Sequence, residues 1–430
     1  MNERGIRRMV GYLLARLPEA GLGQLTDPRR GPTRWKLGQL LTAVVVGAMA
    51  GCRSLRDVEQ LTSLLSPTLR KKLGIARRQA DTTLRDALCG VSVDEVRESL
   101  RRIVHAAWRR KALLPRGLPF GVMALDGKCT AVPAWDDQFV QKQEPTEGLP
   151  YGLVRTVTCT LVSAAGRPCV DAIPIPEHTN EMGHFEAAFE SVREHHGALF
   201  DVVTYDAGAL SEANGRQVVE AGKHYLFSLK GEQRTMFKLA QELLDPTEVA
   251  ASTTDVLSNR TMVTRQLVLL PVQQSWAYGG GKGSAESIWL HARSFVRVES
   301  IETRDGGVTR REARLFVTSL ETKALSPAQW LLMVRSHWGV ETNHHTLDTA
   351  FAEDDRPWIV ADGNGLLVVL LLRRIAYTLL TLFRSVSQRS EARREMRWVD
   401  VLRWVWTAVV AATEIHLAEL RPRKSLIVWS

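Results

Sequence analysis

The sequence predicts a mixed α and β chain, either α+β or α/β, with a sheet-bearing core between two helical ends. Three observations carry this expectation. Up to residue 117 apolar residues recur at helical spacing, from residue 120 the runs become short and strand-like, and helical spacing returns from residue 326 to the end. A chain of 430 residues is long enough for one large core or two to three smaller ones. The expected partition is an all-helical basic module at 1–117, a first part of the core at 118–231, an inserted β-rich subdomain at 232–320, a second part of the core at 321–390, and a C-terminal helical segment at 391–430.

In chain order, residues 1–23 read as a short helix, and Leu25-Thr-Asp-Pro-Arg-Arg-Gly-Pro32 as a turn-rich basic segment. An apolar helix follows from Leu37, then a helix capped by Ser54 with Asp57 three residues on. Residues 81–112 continue the helical pattern, with basic faces at 82–85 and 97–111, and residues 115–119 form a proline-rich linker. Strand-like runs then appear at 121–126, 151–163 and 168–175, the last two joined by Ala164-Ala-Gly-Arg167 as a hairpin. Phe185, Phe189 and Val192 mark a helix within 180–196, followed by a strand at 200–206, a helix near 212–221 and a strand at 224–230. Three strands, helix, strand, helix, strand is the order of a ribonuclease-H-like sheet, in which two acids lie on adjacent central strands. Further strand-like runs lie at 261–272, 287–298 and 314–319. The glycine run 279–283 lacks the Gly-Lys-Ser/Thr ending of a phosphate loop. Ser326 as N-cap and Pro327 at the first helical position start a helix expected to run to 354; apolar helices follow at 366–384 and 398–420.

The chemistry concentrates in residues 335–354. On one continuous helix His337, Glu341, His345 and Asp348 fall at i, i+4, i+8 and i+11, close to a single stripe. Two upstream acids, Asp126 and Asp206, end apolar strand-like runs and precede turn formers. Acids at the ends of neighbouring strands, joined by Glu341 from a helix, form a cluster of like charges that needs a cation. All-oxygen ligation with open positions suits Mg²⁺ or Mn²⁺. The spacing His337-x₃-Glu341-x₃-His345 is one that zinc could use, but no third-ligand motif accompanies it, and hydrogen-bonding histidines are the simpler reading.

Charge and cysteine content narrow the class further. The net charge is +9 with a pI near 9.5, and residues 1–117 hold 23 Lys and Arg against 10 Asp and Glu, so the remainder is net −4. A basic module beside an acidic one suits a protein that holds a polyanion by its phosphates. Five cysteines without CxxC spacing argue against a disulfide framework or a thiolate zinc site and for a reducing cytoplasm. The apolar runs 37–52 and 366–372 are too short for a span, and the second meets Arg373 and Arg374, so no membrane is expected.

Four blocks carry a family resemblance: Leu25-Thr-Asp-Pro-Arg-Arg with Gly51-Cys-Arg-Ser-Leu-Arg-Asp; Leu125-Asp-Gly-Lys128; Thr204-Tyr-Asp-Ala207 with Tyr225-Leu-Phe-Ser-Leu-Lys-Gly-Glu-Gln233; and His337-Trp-Gly-Val-Glu341 with Leu347-Asp348 and Phe351-Ala-Glu-Asp354. In these the chain resembles bacterial insertion-sequence transposases of the DDE class, the ISAs1 group with its H-repeat-associated proteins, within the IS4-like superfamily. The resemblance implies Asp126, Asp206 and Glu341 as catalytic, metal-binding residues holding two Mg²⁺ or Mn²⁺ ions. It places Lys128, Lys230, Arg335, His337 and Trp338 in DNA-binding or supporting positions, with Asn180 and Glu181 also in motif positions. Lys128 and Arg335 could equally make structural ion pairs. Double-stranded DNA is the implied partner, as terminal inverted repeats and as target, handled by a homodimer or larger assembly. A nuclease without strand transfer and a transposase-derived DNA-binding protein with vestigial acids remain the alternatives.

Overall fold

The computed structural model describes residues 2–75, 78–206, 208, 210–231, 234–257, 260–273 and 289–420. The glycine run 279–283 and Glu232 lie outside the described residues. Six helices come first: α1 (Glu3–Arg16), α2 (Leu37–Met49), α3 (Leu55–Leu64), α4 (Pro67–Leu73), α5 (Asp81–Gly90) and α6 (Val93–Arg109). Four strands follow, β1 (Val122–Pro133), β2 (Val140–Gln143), β3 (Tyr151–Leu161) and β4 (Cys169–Pro174), then α7 (Phe185–His196), β5 (Val202–Tyr205), α8 (Glu212–Glu220), β6 (His224–Leu229) and α9 (Arg234–Leu243). Strands β7 (Ala251–Val256), β8 (Thr261–Pro271), β9 (Ser294–Arg304) and β10 (Gly307–Thr318) precede the closing helices α10 (Pro327–Ser336), α11 (Gly339–Thr349), α12 (Gly363–Leu382), α13 (Glu391–Arg394), α14 (Trp398–Val410) and α15 (Glu414–Ala418).

The strands form one mixed sheet in the order β2-β3-β1-β5-β6-β10-β9-β8-β7, with β4 also on β3. β2 and β4 share the outer edge of β3, β2 against residues 151–154 and β4 against 156–160. β1 is antiparallel to β3 and parallel to β5, and β5 is parallel to β6. The connections to β5 and β6 run through α7 and α8, as parallel pairs require a crossover. Phe185 of α7 stands edge-on to Tyr205 of β5 and Phe227 of β6, closing that face.

Two expectations are corrected here. The segment expected as a β-rich subdomain extends the core sheet, because β10 pairs antiparallel with the free edge of β6 from Leu315↔Leu229 to Thr318↔Leu226. The residues making that join, Leu315, Phe316 and Val317, are buried, so the edge is sealed as core. The helix expected as one piece from 327 to 354 is two, broken at residues 337–338. His337 is drawn back to Thr204 of β5, Trp338 turns toward Phe316, and Gly339, a weak helix former, opens the second helix.

α12 organises the packing. Its run of Leu, Val and Ile is apolar on every side, and such a helix has to be enclosed. It is long and apolar enough to cross a membrane, yet the whole stretch is buried within the fold, where α2, α5, α6 and β4 surround it. Asp362 caps its first turn, and Asn364 donates to the carbonyls of Cys89 and Val91 at the end of α5. Thr378 and Thr381 donate to the carbonyls of Cys169 and Gly166, fixing α12 against β4 and the turn before it. Inside the helix, Arg374 is fully buried against the equally buried Glu353 carboxylate, and Arg373 donates to the carbonyls of Glu353 and Arg356. α12 and the N-terminal helices share one hydrophobic core.

Part of the N-terminal positive charge is spent internally. Arg97 and Arg101 of α6, expected as part of a basic face, are buried on Asp171 of β4 at 2.9 and 3.0 Å. Burial alone would raise the Asp171 pKa, but the two guanidinium groups outweigh it and hold the carboxyl below its usual range.

Replacing Glu353 by Ala strands the Arg374 charge in the core. A loss of about 3–5 kcal/mol is expected, measured as a shift of the denaturant midpoint at unchanged slope.

Candidate active site

Strand register brings the two aspartates together. The parallel pairing of β1 and β5 includes Met123↔Val203 and Ala124↔Thr204. Two residues further along each strand direction come Asp126, within β1, and Asp206, just beyond β5, so the register carries both to the same level of the sheet. β1 does not end at Asp126 as expected but continues through Gly127, paired with Val157, to Pro133. Glu341 sits in the first turn of α11, which lies across β1 and β3.

The stripe of α11 that meets β1 is Glu341, His344 and Asp348, at i, i+3 and i+7. Opposite it, Asp126 and Lys128 lie two apart on one face of β1. His344 Nδ1 is 3.3 Å from Asp126 Oδ2, and Lys128 Nζ is 2.6 Å from Asp348 Oδ1 and 3.0 Å from Asp354 Oδ2. These rungs fix the helix on the strand and leave Glu341 free at the cleft end. His345, expected on the stripe, is exposed and takes no part in it. Lys128 is buried beneath Asp348 and Asp354 and does not face the cleft. Among the described residues, one trio of acids has oxygens all within 4.8 Å of one another, Asp348, Glu353 and Asp354, and Lys128 or Arg374 answers each member.

Two buried hydrogen bonds set the approach of Glu341. His337 Nδ1 pairs with Thr204 Oγ1 at 2.9 Å, joining the elbow between α10 and α11 to β5. Asn343 Nδ2 donates to Thr160 Oγ1 at 3.0 Å, joining α11 to β3. Burial holds the His337 pKa below its ordinary value, against the pull of Asp126 and Asp206. His337 therefore serves as a neutral hydrogen-bonding group.

A fourth acid stands beside the aspartates. Glu181 Oε1 accepts from Gly127 N at 3.0 Å and from the Tyr205 hydroxyl at 2.9 Å. A Cβ on Gly127 would come within 1.9 Å of Glu181 Oε2, so the missing side chain is what admits the carboxylate. Burial, and then Asp126 and Asp206, push the Glu181 carboxyl up, while Tyr205 and the Gly127 amide oppose them. Glu341 is pushed up by burial and by Asp126, against Arg314 and His344.

Asp206, Glu341, His337, Trp338 and Lys230 line one cleft of about 550 Å³ with Arg297 and Arg314. Lys230 Nζ is 3.8 Å from Asp206 Oδ2 and remains exposed. The Arg314 guanidinium lies 4.8 Å from the Trp338 ring centre. Arg335 faces elsewhere, paired with Asp255 at 2.6 Å. Asp126, Asp206 and Glu341 offer oxygen donors only, which suits a hard divalent cation, and the partial exposure of Asp126 and Asp206 leaves room for water or phosphate oxygens. His344, Thr204, Asn343 and Arg314 were not singled out from the sequence. For His344 a signal existed, since it falls three residues after Glu341 and four before Asp348, but it becomes visible only once the helix is known to restart at Gly339.

No family model and no curated protein matches this chain. A solved structure, a piggyBac transposase synaptic complex with hairpin DNA, is similar at 11% sequence identity and a TM-score of 0.43, covering 96% of this chain and 80% of that one. A likeness of that size says nothing about chemistry.

Two outcomes are expected. Gly127→Ala displaces the Glu181 carboxylate and costs about 1–3 kcal/mol of stability, whereas the same change in a Glu181→Ala background costs clearly less, as a double-mutant cycle by chemical denaturation will read. Because the Glu341 pKa is raised from 4.5, the folded state disfavours its charged form; that group's stabilising share is complete below about pH 4.5 and is lost as pH rises through the raised value. In chelator, Glu341→Gln therefore melts above the wild type at neutral pH, with the difference vanishing in acid.

Proposed function

We propose that this chain is a DNA transposase of the DDE class, cutting element ends and joining them to a target by two-metal phosphodiester chemistry. The observation that carries the reading is the β1 to β5 register, which puts Asp126 and Asp206 at corresponding positions of adjacent parallel strands, with Asp206 and Glu341 lining one cleft and Asp126 near enough to raise the Glu341 pKa. The strand sequence β4-β3-β1-β5-β6, antiparallel on one side of β1 and parallel on the other, supports a ribonuclease-H-like core. The sequence resemblance assigns the same three acids.

Asp126, Asp206 and Glu341 would hold Mg²⁺ or Mn²⁺, which would activate a water or a DNA 3′-hydroxyl and stabilise the leaving oxygen. The chain's own contributions are positional and electrostatic. His344 orients Asp126, Asp206 Oδ1 is fixed by the amide of Gly208 at 2.8 Å, and His337 and Asn343 set the height of Glu341. Lys230 and Arg314 bring positive charge to the cleft, where a phosphate approaching three carboxylates needs it. The fourth acid, Glu181, backs Tyr205 and the Gly127 amide and stiffens the strand that carries Asp126.

The test is cleavage of DNA carrying the flanking element ends in Mg²⁺ or Mn²⁺. Wild type is expected to nick at the ends and form strand-transfer products, and Asp126→Ala and Glu341→Ala to lose both by at least about 10³-fold. Mn²⁺ alone is expected to raise the melting temperature of wild type and to leave Asp126→Ala unmoved. Binding without cutting by every form would leave the acids structural and sink the proposal.

A further inference from the structure

A second cleft lies against the first. It has a volume of about 660 Å³, and its wall carries five arginines, Arg116, Arg167, Arg265, Arg314 and Arg335, against a single acid, Glu312. These come from distant parts of the chain: the segment before β1, the turn between β3 and β4, strands β8 and β10, and helix α10. Arg265 and Arg335 share the Asp255 carboxylate, each at 2.6 Å. Counting Asp255 and Glu312 against the five guanidinium groups leaves three positive charges. Arg116 and Arg167 are exposed and, among the described residues, enter no ion pair. Arg167 is nonetheless placed: its side chain lies over Gly339, where an added Cβ would come within 2.6 Å of its Cδ. The floor consists of the small residues Ser163, Ala164, Ala165 and Gly166, which let a ligand approach the backbone.

Glu312, Arg314 and Trp338 line both clefts, so the Arg314 and Trp338 pair forms the divide between the arginines and the acid cluster. A run of guanidinium groups leading past an aromatic ring to a cluster of acids matches what a single nucleic-acid strand needs, charge along its backbone and a flat surface for a base. A space of this size admits a short stretch of extended chain.

We propose that this groove holds the phosphodiester backbone of one unpaired DNA strand adjoining the bond that is cut, with Arg116 and Arg167 as direct phosphate contacts and Trp338 at the entrance to the acid cluster. The assignment of DNA rests on the function proposed above, while the groove's preference for a single-stranded polyanion can be tested independently of it.

The experiment uses the full chain in chelator, with a fluorescein-labelled 20-nucleotide single strand and the duplex of the same sequence, read by anisotropy over a salt series. Arg116→Glu with Arg167→Glu is expected to weaken single-strand binding at least tenfold and to lower the slope of log affinity against log salt by about 1.4, from about 0.7 per lost phosphate contact. Duplex binding should change less than threefold. Arg167→Gln alone, a milder change at an exposed position, should lower the slope by about 0.7. Unchanged single-strand affinity and slope in both variants overturns the proposal, as does an equal loss for the duplex. Displacement of the strand by poly-glutamate at matched charge concentration overturns it in favour of an acidic protein partner. Cleavage in Mg²⁺ separates the two claims: cleavage that survives Asp126→Ala rejects the catalytic reading, while the arginine variants, read in chelator where no cutting occurs, decide the groove alone.

Discussion

The structure depends on one charged pair placed where charge is least welcome. Arg374 lies in the middle of α12, surrounded by Leu, Val and Ile, and the Glu353 carboxylate that meets it comes from the segment leading out of α11. A buried pair of this kind adds little net stability by itself, but either partner alone is costly, so the two segments cannot separate cheaply. The same stretch supplies Asp348 and Asp354 to Lys128 of β1. Strand β1, helix α11 and helix α12 are therefore tied together by three acids within seven residues of chain, answered by Lys128 from β1 and Arg374 from α12. Thus the helix that carries Glu341 is positioned by the core helix as well as by the sheet.

From that frame the candidate site is assembled by short, specific links. Strand register sets the two aspartates level, His337 and Asn343 tie α11 to two different strands, and Gly127 makes room for Glu181. Each link joins elements far apart in sequence, and a further one, from His344 of α11, holds Asp126 itself. The acids themselves are left partly exposed, with raised pKa values at Glu181 and Glu341. Stability is given up there and recovered in the links around it.

How much of this could be read from sequence follows from the range of each signal. The strands near 121, 151, 168, 202 and 224 were legible because each is a short apolar run bounded by turn formers. Asp126 and Asp206 stood out for the same local reason. The face that α11 presents to β1 was not legible, since it depends on a break at residues 337–338, where His337 pairs with the distant Thr204. Nor did residue type reveal that Lys128, Arg97 and Arg101 face inward, because their partners lie between 70 and 226 residues away. The continuous sheet was missed for a related reason: β7 to β10 look like a unit of their own until the free edge of β6 is seen to require a partner.

The enclosure of α12 also sets an order of events. Its surrounding elements α2, α5, α6 and β4 all precede it in the chain, so during synthesis the socket is made before the plug. At about 5–20 residues per second, the N-terminal helices wait on the order of tens of seconds before residue 382 emerges and their apolar faces can close. Those helices do not amount to a finished unit during that wait. A chain arrested before residue 363 would present the lining of this socket to the cell, and protection of nascent apolar surface becomes a requirement written into the order of the elements.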